Sequence, residues 1–96
     1  MAGGISPEAL KSLLESNSQF ALIDVREPGE YNSAHIPGSS LIPRRQLEFD
    51  LAQAIPFQGT QVVVCDDDGR RARLAAQTLE RMGYTQVSVL EGGINR

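Results

Sequence analysis

The run Val62-Val63-Val64-Cys65, followed at once by Asp66-Asp67-Asp68-Gly69, constrains the fold more than any other stretch of the chain. Four apolar residues with no polar alternation, three of them β-branched, call for burial on both faces, which is the behaviour of a strand inside a parallel sheet. The three aspartates and the glycine then end the strand in a tight turn, because Asp and Gly supply turn conformations and local acceptors. Beyond it, Ala72, Ala75, Ala76 and Leu79 recur at helical spacing, and Gly83 predicts a left-handed stop with Tyr84 beyond it. A strand that turns directly into a helix N-terminus gathers backbone N–H groups and the helix dipole at one point, a cradle for an anion.

The rest of the chain repeats this grammar. Phe20-Ala21-Leu22-Ile23 is a second unalternated run, and Gln86-Val87-Ser88-Val89-Leu90 is partly alternating, as suits a strand nearer an edge. Ser6 before Pro7 is a helix start, with Leu10, Leu13 and Leu14 on one face. Leu47, Leu51 and Ile55 predict a middle helix stopped by Pro56. The long connection from Asp24 to Pro43 predicts one helical turn around Glu30 and Tyr31 and a short strand within Ser39 to Ile42. Strands alternating with helices give an α/β fold with a parallel sheet, helices on both faces and right-handed crossovers. In such sheets the loops leaving the strands' carboxyl ends form the binding crevice, here the loops after Asp24 and Cys65.

Composition excludes several functions. With 96 residues there is room for one domain, and a formal charge of −3 offers no basic footprint for nucleic acid or an anionic membrane surface. No apolar run approaches the roughly 20 residues of a membrane span, and Met1-Ala2-Gly3-Gly4 has no signal-peptide pattern, so a cytosolic protein is expected. One cysteine and one histidine make neither an internal disulfide nor a zinc cage, and no metal or other cofactor is expected.

Asp24-Val25-Arg26-Glu27-Pro28-Gly29-Glu30-Tyr31, then Ala34-His35-Ile36-Pro37-Gly38-Ser39, resembles the first signature of the rhodanese-like domains. Gly83-Tyr84, Val87, Leu90 and Glu91-Gly92-Gly93 resemble the closing signature, with Gly69, Arg71, Ala75 and Ala76 where that family's active loop and following helix lie. The resemblance implies a parallel sheet of about five strands flanked by helices on both faces. In active members it implies sulfur transfer from thiosulfate or another sulfur donor through a cysteine persulfide. It also implies a single domain over residues 1–96 that stops where the family enters a final helix. The chain then reads as one unit of a longer protein, with neighbouring rhodanese domains as its partners.

The same resemblance exposes a departure. Active members place cysteine and arginine as C-x4-R, and aligning Arg71 with that arginine puts Asp66 at the nucleophile position and Cys65 one residue too early. The expected function is therefore a non-catalytic copy, a structural, regulatory or sulfur-relay module. The alternative is an active enzyme carrying a persulfide on Cys65, with Arg71 and the amides of the loop Asp67, Asp68, Gly69, Arg70 and Arg71 stabilising it. A weaker alternative is a C-x5-R phosphatase through Cys65 and Arg71. Three carboxylates oppose both, since they raise a thiol pKa and repel an incoming anion. Against these stand the plainer readings: Cys65 as a buried residue on the face of Val63, Asp66 to Asp68 as turn and cap residues, and Arg70, Arg71 and Arg73 as their neutralising partners. His35 is expected to organise its loop, Asp24 and Arg26 to be structural, and Arg44 with Arg45 to begin a solvated helix.

Overall fold

The computed structural model describes residues 3–16 and 19–94. Met1, Ala2, Asn95 and Arg96, which entered the expectations about the two ends, lie outside the described residues. Along the chain run β1 (Gly3–Ile5), α1 (Pro7–Glu15), β2 (Ala21–Asp24), α2 (Pro28–Ser33), β3 (Ser40–Leu41), a single 3-10 turn (Arg44–Gln46), α3 (Leu47–Ala54), β4 (Gln61–Cys65), α4 (Arg70–Arg81) and β5 (Gln86–Leu90). The five strands form one sheet in the order β1-β5-β4-β2-β3, every pair parallel.

Local chemistry sets the element ends. Ser6 caps α1 by accepting the Ala9 N–H at 3.1 Å, ahead of Pro7 in the first turn. Gly83, at φ 100°, closes α4, where the Tyr84 N–H returns to the Leu79 carbonyl at 3.1 Å. The strand after Arg81 lies one place in from the sheet edge because β1 pairs outside it, with Gly3 opposite Ser88 and Ile5 opposite Leu90. Arg44 and Arg45 begin a 3-10 turn rather than the α-helix, which starts at Leu47.

Two cores flank the sheet. On one face, Leu47 and Leu51 from α3 and Ala72, Ala75, Ala76 and Leu79 from α4 pack on Ile23, Val62 and Val64. On the other, smaller face, Leu10 from α1 packs with Leu22, Val63, Cys65 and Leu90. The alternation of Val62 and Val64 against Val63 and Cys65 is the period-2 geometry of a strand, and it sends the thiol into the α1 face. Since β2 and β4 are paired with Asp24 opposite Cys65, the two loops expected to make the crevice leave the sheet side by side.

Candidate active-site loop

The turn between β4 and α4 is built around Asp66. Its carboxylate is wholly buried; Oδ1 accepts the Gly69 N–H at 2.5 Å, and Oδ2 accepts those of Arg71 at 2.7 Å and Ala72 at 3.1 Å. The Arg70 N–H goes instead to Asp68 Oδ1 at 2.9 Å. All four amides from Gly69 to Ala72 thus already have an aspartate oxygen. A helix leaves its first N–H groups without intrahelical partners, so these are the donors an anion would use. Gly69 enters α4 at φ 98°, a left-handed conformation that glycine adopts without a Cβ penalty.

Cys65 turns the other way. Its side chain has no exposure and lies among Leu10, Leu22, Val63 and Leu90. Burial, followed by the neighbouring charge on Asp24 and partly offset by Arg26, pushes the thiol up to about 12, with Asp66 adding to the rise. At neutral pH it is a protonated apolar side chain, not a thiolate.

The arginines divide unequally among the aspartates. Arg71 makes a two-pronged contact with Glu30 of α2, Nη1 to Oε1 and Nη2 to Oε2, both at 2.8 Å, and reaches Asp67 Oδ1 at 3.1 Å. These bonds, Glu30 first, raise the Arg71 pKa, and the Arg71 guanidinium holds the Glu30 carboxyl down at about 2. Arg70 stands 3.9 Å from Asp68 on the surface. Neutralisation therefore operates for Asp67 and Asp68, whereas Asp66 is satisfied by amides. The guanidinium that would complete an anion cradle is committed to an inter-loop ion pair that sequence spacing does not reveal.

Beneath the loop, Arg26 and Asp24 form a buried pair, Nε to Oδ1 at 3.0 Å and Nη2 to Oδ2 at 2.8 Å, and Arg26 Nη2 also donates to the Ala34 carbonyl at 2.6 Å. That bond to Asp24 is the main cause of a raised Arg26 pKa. His35 is exposed; its ring stacks on Tyr31 with centroids 3.8 Å apart, and Nδ1 lies 2.8 Å from the Tyr31 carbonyl oxygen. Tyr31 in turn donates its hydroxyl to the Ser39 carbonyl at 2.7 Å. These contacts tie α2 and the following loop to the sheet.

The carboxylates of Asp66, Asp67 and Asp68 come within 4.8 Å of one another, but each already accepts a hydrogen bond from an amide or an arginine. A cavity of about 320 Å³ opens beside the loop, between α4 and the β1 edge, with Asp68, Gly69, Arg73 and Glu91 in its wall. Neither Cys65 nor Asp66 lines it. No helix among the described residues is long and apolar enough to cross a membrane.

Comparison with known proteins agrees with this architecture. The family model described as rhodanese-like domain matches residues 6–96. The chain is 35% identical over 91 residues to the probable adenylyltransferase/sulfurtransferase MoeZ of Mycobacterium tuberculosis, covering 94% of this chain and 23% of that protein. It is 37% identical over 65 residues to the thiosulfate sulfurtransferase PspE of Escherichia coli, covering 68% of this chain and 62% of that protein. The crystal structure of a thiosulfate sulfurtransferase from Pseudomonas aeruginosa superposes with a TM-score of 0.89 at 30% identity, over 96% of this chain and 18% of that one. The chain thus spans less than two thirds of the length of these relatives.

Proposed function

Because this chain belongs to the rhodanese-like domain family, with sulfurtransferases among its relatives, we propose that it is a non-catalytic copy of the sulfurtransferase fold. In this reading it works as a structural, regulatory or sulfur-carrier-contacting module beside other domains of a longer protein. One observation carries the proposal: the Asp66 carboxylate fills the amide cradle in which a persulfide anion would have to sit. The family chemistry needs a thiolate that attacks the outer sulfur of a donor, releases sulfite from thiosulfate, and holds the resulting persulfide among backbone N–H groups. A carboxylate at that point already takes the amide hydrogen bonds, and it is no nucleophile toward sulfane sulfur.

Supporting observations concern the two other parts of the reaction. The single thiol is buried among aliphatic side chains and held protonated, and Arg71 is bound to Glu30 and Asp67 instead of facing the cradle. A phosphatase through Cys65 and Arg71 meets the same two obstacles. Relatives in which the matched segment is a fraction of the length support a role as one unit among several, and a single cysteine, which can form no disulfide within the chain, fits a cytosolic setting.

Turnover is the test. With thiosulfate as donor and cyanide as acceptor, the wild-type domain and Cys65→Ser are expected to release thiocyanate at the same rate, that of the protein-free reaction. Thiocyanate release by the wild type that disappears in Cys65→Ser would replace this reading with an active enzyme.

A further inference from the structure

The loop that encloses Asp66 is not held by its own contacts alone. Just after β5 the chain turns through Gly92 and Gly93, both left-handed at φ 77° and 72°, and the Gly93 N–H closes the turn on the Leu90 carbonyl at 3.4 Å. One end of this segment is anchored on the sheet, where the Glu91 N–H donates to the Ile5 carbonyl of β1 at 2.9 Å. The other end reaches the loop, where the Ile94 N–H donates to the Asp66 carbonyl at 2.9 Å. Between these ends Gly93 lies so close to the loop that a Cβ there would overlap the Asp67 carbonyl and the Asp68 amide nitrogen. A hydrogen bond and a close backbone packing contact thus fall on the same three loop residues, and each is independent of the side-chain bonds to Asp66.

We infer that residues 91–94 are a strap that sets the shape of the loop, so that the seating of the strap and the closure of the amides around the Asp66 carboxylate form one coupled equilibrium. The main-chain oxygen of Asp66 is held by the strap while its side-chain oxygens are held by Gly69, Arg71 and Ala72. Freeing either half of the residue releases a restraint on the other, and linkage makes the coupling reciprocal. A ligand or neighbouring domain that lifts Ile94 from the Asp66 carbonyl would open the cradle without touching it. The inference concerns what controls the loop and stands whether or not the domain transfers sulfur.

Backbone amide exchange by NMR on the intact chain tests it, with Gly93→Ala, Ile94→Pro and Asp66→Ala. Gly93→Ala pushes a methyl against the loop, whereas Ile94→Pro deletes the N–H that reaches Asp66 together with the Ile94 side chain packed on the smaller core, and restricts the backbone at Gly93. In both, the Gly69, Arg71 and Ala72 amides should exchange about tenfold faster or more, while those of Leu22 and Val63 in the central strands keep the wild-type rate. Reciprocally, Asp66→Ala should speed exchange at Ile94. Loop amides that keep their wild-type rates in Ile94→Pro would overturn the inference. So would acceleration spread evenly over loop and sheet in that variant, because the segment would then be part of the global fold and no strap. Should Gly93→Ala fail to fold, the Ile94→Pro result decides.

Discussion

Cys65 and Asp66 are neighbours in sequence but send their side chains to different places: the thiol into the apolar face with Leu22 and Val63, the carboxylate into the amides of Gly69, Arg71 and Ala72. One residue of offset along the chain separates a packed side chain from the centre of the loop. The chemistry of this domain follows from which side chain occupies which place.

Asp66 should matter more to stability than either acidic neighbour. Asp66→Ala leaves three N–H donors of the loop and α4 without their acceptor and should cost about 2–4 kcal/mol. Asp67→Ala loses a half-exposed ion pair with Arg71 and should cost about 1 kcal/mol or less. Urea unfolding of the two variants against wild type checks the order.

The buried pair below the loop gives a second expectation. Arg26→Leu would leave the fully buried Asp24 carboxylate without its guanidinium and the Ala34 carbonyl without its donor. A loss of about 3–5 kcal/mol is expected, read from the shift of the denaturation midpoint.

Glu30 gives a pH signature. Its folded-state pKa, about 2 against an ordinary 4.5, lies below the unfolded value, chiefly because of Arg71 and then the Glu27 amide. The stability it contributes is therefore complete above pH 4.5 and is lost as pH falls toward 2. In Arg71→Gln the Glu30 carboxyl should titrate much closer to 4.5, and the acid-unfolding curve should lose that component. A carboxyl-detected NMR titration of both proteins measures it.

The Cys65 thiol should resist alkylation. With no exposure and a pKa near 12, the native protein at neutral pH should react far more slowly than a free cysteine, and unfolding should restore the ordinary rate. Because the folded pKa is raised from 9.0, the associated stability is present below pH 9 and declines as pH rises toward 12. Cys65→Ala should lack that decline.

Much of this was legible in the residues. Unalternated runs marked β2 and β4, helical spacing marked α1, α3 and α4, and Gly83 marked a helix end, since each is a local signal of burial or backbone conformation. The strand β1 was not, because two of the three residues of Gly3-Gly4-Ile5 are glycine and the segment is too short for a periodicity, so it exists through its pairing with β5. At the site, spacing placed Asp66 at the turn and Cys65 on the face of Val63. It could not show that Asp66 gathers three of the loop amides while Asp68 takes the fourth, nor that Arg71 pairs with Glu30 forty-one residues away. Those outcomes depend on how two loops from adjacent strands meet, which is tertiary information.

Intact-mass spectrometry of the wild-type domain after incubation with excess thiosulfate reads the central claim directly, since any persulfide must appear on the single cysteine. The account predicts an unchanged mass, with Cys65 recovered as a free thiol after unfolding. Stoichiometric gain of one sulfur atom on Cys65, released again by cyanide, would contradict it.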